Sequence, residues 1–499
     1  MALRLRLRLA VERIERRNIH PGHVRGDNST SVSRGDPILT RIKFVTSEVE
    51  PPMRATMFPS RVELLTSGVS RGAPSVLGRK LSTASIPIPT ESDPLLQPFK
   101  LKHLTLRNRI MSTSHAPSYV EDKLPQLRYR RYHAEKAKGG LALSMFGGSS
   151  TVSPDSPAAF GQIDVSTDAV IPHFQRLADA VHLHGAATMC QLTHMGRRTS
   201  WDVADWLPVA APSRVREPAH RAFPKELEPS DLRRIAADFG SAAWRCKQGG
   251  LDGCELLASG HLLDSFWSPL TNRRTDGYGG SLSNRVRFVL EVLDAIRERC
   301  GEDFIVGVRM IGQAAADNNG AGAVPGDLTQ EDCLSIAELL ARSGTVDFLN
   351  VNVGNIDSDN KLAGQIPSMY GALAPQLEIV APFRALGLPV FHACRIIDLT
   401  TARRAIADGM LDMVGMTRAH IADPHLVNKL AEGREADIRP CVGAGYCLDR
   451  IYVGVQPYDS NHACPTRARE VWRSVANWGW GGAASRAPHR QCGLTHQLG

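Results

Sequence analysis

Three arginines stand at the ends of short apolar runs: Arg309 in FIVGVRM, Arg395 in PVFHACR and Arg418 in DMVGMTR. A guanidinium emerging from an apolar strand needs an anionic or electron-rich partner, because burial unpaired is costly. One such arginine would ordinarily pair with a neighbouring carboxylate; three at corresponding positions point instead to a shared anionic ligand. The run AATMCQLTH adds Gln191 and His194. A glutamine amide both donates and accepts, which suits the mixed edge of a heterocycle, although a satisfied core amide has the same appearance. His194 and His261, the latter in ELLASGHLLD, are the candidate catalytic imidazoles; His194 taken alone also fits a structural role. Towards the C-terminus, Cys441, Cys447 and Cys464 raise the question of a metal site.

These residues sit in a strict alternation of elements. Runs rich in β-formers at 108–114, 141–147, 186–194, 253–259, 304–310, 348–354, 389–395 and 412–418 are separated by helix-period segments such as 170–185, 281–301 and 329–344. In the last of these, Thr329 with Asp332 forms an N-cap pattern and Gly344 a stop. Strands that each lead into a helix imply a parallel sheet with crossover connections. Eight such units are the number that closes a (β/α)8 TIM barrel. A doubly wound open sheet would carry a Gly-rich phosphate loop after its first strand, and NRIMSTSHAPSY has none. In a barrel the active-site residues lie at the C-terminal strand ends, and the loops after strands seven and eight are the usual phosphate site, where Arg395 and Arg418 fall. A flavin ring with its phosphate would give these arginines anionic partners. The long segment 261–288, between strand four and its helix, is of a length that is usually functional at a barrel's active face.

Composition narrows the function. The formal charge of +8 resides in residues 1–90, with 15 Lys and Arg against 7 Asp and Glu, leaving 91–499 balanced at 44 each. A neutral body argues against a nucleic-acid partner. The chain has no run of eighteen apolar residues, so no membrane span is expected. Its ten cysteines follow no dense framework and read as reduced thiols in the cytoplasm. The expected organisation is a disordered basic leader (1–90), a barrel (91–437), a Cys-containing segment (438–470) and a short irregular C-terminal tail (471–499). MALRLRLRLAVERIERR is Arg-rich, but Glu12 and Glu15 within it argue against a transit peptide.

SPLTNRRTDGYGGSLSNRVRF, together with RNRI, QLTHMGR, GVRM and GMTRAHIADP, resembles the old yellow enzyme (NADH:flavin oxidoreductase) family over about residues 93–437. RPCVGAGYCLDRIYVG is similar to its larger members, the trimethylamine dehydrogenases and the dimethylglycine and methylproline demethylases. The resemblance implies FMN at the strand ends. It places Ser112, Thr113, Ser114 and His115 beside the flavin, Gln191 at the pyrimidine edge, Arg309 at the N1/O2 side, and Arg395, Gly415, Met416 and Arg418 around the phosphate.

Departures from the family pattern carry further expectations. Ene-reductases of the family hold a substrate carbonyl with a pair of imidazole or amide donors after strand four. Here that stretch is one residue shorter, with Leu257 at the first donor position, Ser259 or Gly260 at the second, and His261 as the imidazole left nearby. The expected reaction is therefore oxidation of an N-methyl amine. The alternatives are an NAD(P)H-dependent ene-reductase using His261 as donor, and a non-catalytic barrel. Ala116 stands where the trimethylamine enzyme bonds its flavin to cysteine, so FMN is expected to be non-covalent. A [4Fe–4S] cluster takes four thiolates. Ala444 replaces one of them and the gap from Cys447 to Cys464 is lengthened, so neither a cluster nor another metal is expected. WGWGGAAS does not match the G-x-G-x-x-G of the larger members' dinucleotide domains, so the expectation is a barrel module without its electron-transfer half. The expected partners are a small-molecule substrate and NAD(P)H or an external electron acceptor; an oligomer is compatible with the sequence.

Overall fold

The computed structural model describes residues 92–445 and 447, apart from 157, 159, 200–208, 219–221, 316–323, 355 and 357–358. The leader, the tail and Cys464 lie outside the described residues.

Eight parallel strands close into a barrel: β1 Ile110–Ser112, β2 Leu143–Thr151, β3 Ala187–Thr193, β4 Gly253–Ala258, β5 Ile305–Ile311, β6 Phe348–Asn352, β7 Val390–His392 and β8 Met413–Gly415. Each pairs with its sequence neighbours, and β8 pairs with β1 to complete the ring. The helices packed around them include α1 Leu127–Lys138, α2 Ile171–His182, α3 Pro229–Gln248, α4 Leu282–Cys300, α5 Gln330–Arg342 and α6 Leu399–Ala407. Their starts follow from local chemistry. Thr329 and Asp332 form the reciprocal capping box expected for α5, and the Ser281 hydroxyl accepts from Asn284 N at the head of α4. The α5 helix ends at Arg342, with Gly344 two residues on at φ 70°.

Side chains alternate along each strand. On β5, Val306, Val308 and Met310 pack outward into the main core with the helices, while Ile305 joins a separate interior cluster with Met111, Leu143, Met189, Phe348, Phe391 and Met413. Phe348 and Phe391 stack there with centroids 4.6 Å apart. Gly307 makes room for them, since a Cβ at that position would lie 2.0 Å from Phe348 Cζ. A short antiparallel hairpin, Phe99–Leu101 with Leu104–Leu106, contributes Phe99, Leu101 and Leu106 to this cluster. The barrel interior is thus a packed core at one end, and polar side chains are confined to the other.

Three strands end three or more residues from where expected; one is β8, which stops at Gly415 rather than 418 and leaves Arg418 in a short helix, Thr417–Ala422. The β2 strand continues to Thr151 through a register shift between Phe146 and Ser150, with Gly147 and Ser149 at φ 70° and 61°. The Gly147-Gly148-Ser149 run read as the strand's end, whereas it forms a bulge of the kind found beside active sites. The β7 strand stops at His392, three residues early, and Arg395 beyond it has φ 50°.

Candidate active site

Strand alternation and register assemble the site. Gln191 on β3 pairs in register with Glu255 on β4, and Arg309 on β5 pairs with Leu257 on one side and Asn350 on the other. All share the inward parity of their strands, which sets them above the apolar interior. The fully buried Glu255 carboxylate accepts from Gln191 Nε2 and from Asn350 Nδ2, each at 2.7 Å. The Gln191 oxygen in turn accepts from Ser149 N in the β2 bulge at 3.0 Å. Burial raises the Glu255 carboxyl, against the Arg309 charge and these hydrogen bonds.

Two clefts meet at this end of the barrel and share Ser114, His115, Arg309, Gln365 and Ile366. One continues past Thr113, Arg395, Gly415 and Arg418 to the half-buried Cys447. The other continues past Ala116, Gln191, Arg198, Leu257, Ser259 and His261. At Gly415 a Cβ would lie 2.4 Å from Ala393 Cβ and 2.7 Å from Thr113 Cγ2, so a side chain here would crowd the wall where these strands converge.

Two histidines line the mouth, and both are kept neutral. His261 is held at a pKa of about 3, chiefly by burial and then by the Arg198 charge. Its Nδ1 lies 2.9 Å from the Ser259 carbonyl, which can only accept, so the proton sits on Nδ1 and the unprotonated Nε2 accepts from the Ser149 hydroxyl at 3.4 Å. The same reasoning applies to His115, whose Nδ1 meets the Thr113 carbonyl at 2.9 Å while Nε2 accepts from Tyr132 OH at 2.7 Å. Burial, and then the Lys136 cation, keep His115 well below the usual imidazole range.

Three residues expected at the cofactor or the chemistry have side chains outside both cavity linings. His194 has the opposite strand parity to Gln191. It is fully buried, with Nε2 3.2 Å from Asp155, itself paired with Arg234. Ser112 points outward to α1, where its hydroxyl accepts from Lys136 Nζ at 3.1 Å. Met416 packs into the main core, while its backbone N–H donates to Met111 O. Sequence reading missed Glu255, Asn350, Lys136 and Arg198. Inward parity with Gly253 and Leu257 was the available signal for Glu255; Lys136 sits on a helix whose rotation about its axis only packing reveals.

The arginines test whether an anionic cofactor fits. Among the described residues Arg309 makes no hydrogen bond or ion pair, and the Glu255 carboxylate is the charge that most offsets its burial. Arg395 Nη2 donates to Met369 O at 2.9 Å, and its Nε is buried with no hydrogen-bond partner. Arg418 Nη1 donates to Pro367 O at 2.7 Å. Two cations anchored by backbone carbonyls, with an orphaned donor between strands seven and eight, fit a phosphate. Arg309 and Gln191 beyond them fit a polar ring edge.

A (β/α)8 barrel with such a mouth defines the class of barrel oxidoreductases that hold a flavin nucleotide at the strand ends. The chain belongs to the NADH:flavin oxidoreductase / NADH oxidase family, whose profile matches residues 94–437. It is 52% identical over 386 residues to a probable N-methylproline demethylase of Rhizobium meliloti (strain 1021), covering 77% of this chain and 56% of that protein. It is 53% identical over 358 residues to a multifunctional alkene reductase/demethylase of Caballeronia cordobensis, covering 71% and 51%. The solved structure of morphinone reductase in complex with tetrahydroNAD superposes with a TM-score of 0.56 at 26% identity, covering 68% of this chain and 91% of that one. The chain spans about half the length of the curated relatives it matches. No helix among the described residues is long and apolar enough to cross a membrane.

Proposed function

We propose that this chain binds FMN non-covalently and oxidises an N-methyl amine. Arg395 and Arg418 would hold the phosphate, Arg309 and Gln191 the ring edge, and Ala116 offers no thiol for a covalent bond. When bound, the flavin supplies a two-electron acceptor of hydride. The substrate loses hydride from a carbon beside nitrogen, while the nitrogen lone pair forms the new C=N bond. Water then adds and releases an aldehyde and the demethylated amine. That chemistry needs a neutral amine and no polarised carbonyl. The chain's own residues favour it: the Arg198 and Arg309 charges disfavour the ammonium form of a bound substrate.

The observation that carries this reading is His261. Reducing an activated alkene requires a donor aimed at the substrate carbonyl, and the ring nitrogen left to His261 after its bond to Ser259 is an acceptor. Leu257 occupies the wall beside it. The Caballeronia relative, named for both activities, keeps alkene reduction as the second reading. Anaerobic titration of the flavin-loaded protein separates them. An N-methyl amine should bleach the flavin band without added nucleotide. Bleaching by NADPH alone, with reoxidation by an enone, would favour the second reading. In this proposal electrons leave reduced flavin to NAD(P)+, a soluble acceptor or a partner protein.

A further inference from the structure

Building on the flavin-binding reading, we propose that electrons leave the site along the rings of His115, Tyr132 and Tyr119 and pass to a one-electron carrier protein whose acidic face docks on the outer side of α1. His115 lines both clefts, so it stands beside the expected cofactor. Its ring meets Tyr132 edge-on at 5.6 Å between centroids, and the Tyr132 hydroxyl joins them by donating to Nε2 at 2.7 Å. Tyr132 meets Tyr119 in the same manner, again at 5.6 Å. Each tyrosine carries a cation on its face: Lys136 Nζ lies 4.0 Å from the Tyr132 centroid, and the Arg128 guanidinium 4.2 Å from that of Tyr119. Both rings are buried, and Arg128 beyond them is half-buried. Three rings in contact thus lead from the cleft wall to the surface. Positive charge lowers the energy of an electron passing beside it, so the two cations favour this route.

The surface at the far end suits a negative partner. Tyr129, Tyr132, His133 and Lys136 define the buried face of α1, which leaves Arg128, Arg130 and Arg131 around its first turns on the solvent side. That first turn holds no acid, and arginines there oppose the helix dipole. Arg176 on α2 adds a further cation: burial, and then the Arg176 and Arg131 charges, lower the Arg130 guanidinium. Among the described residues Arg128, Arg130 and Arg176 form no ion pair. Residues 119–131 together with Arg176 hold five Lys or Arg against two acids, in a body whose charges balance overall. For folding these positions are unfavourable; for meeting an acidic surface they are complementary, and such fields speed encounter. The two electrons of the hydride leave singly, to two carrier molecules, and its proton goes to water.

The test uses the flavin-loaded full chain, reduced anaerobically with one equivalent of dithionite, and two haem proteins too large to enter the clefts: the acidic cytochrome b5 and the basic cytochrome c. Haem reduction gives the rate. At low salt the acidic protein should be reduced at least about tenfold faster, and the gap should close as salt rises. The triple variant Arg128→Ser/Arg130→Ser/Arg176→Ser should lose this preference, with Arg299→Ser as the control. Tyr119→Leu should lose most of the rate at saturating cytochrome, and Tyr119→Phe, which keeps the ring, should retain it. Docking is read without electron transfer by titrating cytochrome b5 into flavin-free, 15N-histidine-labelled chain: the signal of His173, beside Arg176 and Arg130, should shift or broaden. Melting temperature and flavin content check that the variants are folded. Equal rates with the two cytochromes, a preference that survives the triple variant, a Tyr119→Leu variant as fast as wild type, or an unmoved His173 signal overturns the proposal. Dithionite supplies the electrons, so failure of amine oxidation leaves the test intact. A chain that takes up no flavin removes the path together with the reading it rests on, while His173 still decides the docking face.

Discussion

Gln191 and Glu255 face one another as register partners on β3 and β4, the amide donating to the carboxylate at 2.7 Å. An ionised carboxylate only accepts, so this contact fixes which end of the amide is nitrogen, and the Ser149 N–H confirms the oxygen at the other end. Glu255→Leu should strand the buried donors of Gln191 and Asn350 and cost about 2–5 kcal/mol. Glu255→Gln retains one acceptor and should cost less. Urea unfolding compares the two, and a Leu variant within about 1 kcal/mol of wild type would contradict the assignment.

Arg309→Ala should lower both flavin content and turnover. A half-buried cation aimed at the ring edge is expected to favour the reduced, anionic ring more than the oxidised one, by on the order of a few kcal/mol. The measurements are flavin stoichiometry and the midpoint potential, which should fall. Arg299→Ala, on the outer surface of α4, is the control. An unshifted potential in Arg309→Ala would show that this guanidinium does not face the ring.

Arg395 sits at φ 50°, where a non-glycine residue carries strain of about 1–2 kcal/mol. Arg395→Gly should therefore leave the apo-protein as stable as wild type or more so, while weakening flavin retention by about tenfold or more through loss of a phosphate contact. Thermal melting of apo-protein and dialysis of the loaded form separate the two effects. Tight flavin retention in the glycine variant would remove Arg395 from the phosphate site.

Acid precipitation should release all flavin to the supernatant, because Ala116 has no thiol to bond it. Anaerobically purified protein should also lack stoichiometric iron and acid-labile sulfide, since Ala444 interrupts the ligand set between Cys441 and Cys447. Flavin retained in the pellet, or near four irons per chain, would refute the corresponding half.

Burial pushes the Asp264 carboxyl up to about 6, against the backbone N–H groups of His261 and Gly260. Its ordinary value is 3.8. Between those values the folded chain keeps a proton that the unfolded chain has released, so this group's contribution to stability falls as pH rises from about 4 to 6 and is level above. The full swing is on the order of 3 kcal/mol. Asp264→Asn removes the titration, so the stability of wild type relative to the variant should decline across that window. A flat difference would show that the carboxyl is not raised.

The sequence by itself determined the barrel. Eight short apolar runs, each leading to a helix-period segment, fit a closed parallel ring, and the missing Gly-rich loop after the first run sets aside the open doubly wound sheet. It also placed Gln191, Arg309, Arg395 and Arg418 at strand ends, because that position follows from counting along each run. Tertiary structure decided which of the neighbouring side chains enter the mouth. A one-residue step along a strand reverses the face, so Gln191 enters while His194 turns to Asp155, and Thr113 lines the cavity while Ser112 bonds Lys136. The bulge at Gly147–Ser149 was hidden because small residues mark a bend without saying whether pairing resumes beyond it. Register between strands, invisible in any single run, set Glu255 against Gln191 and Asn350 beside Arg309. Loop folding brought Arg198 over Phe160 and set the unprotonated nitrogen of His261 beside Ser149 in the cavity wall. Local composition fixes which elements form. The chemistry at their ends depends on contacts between residues far apart in the chain, and only closure of the ring creates those.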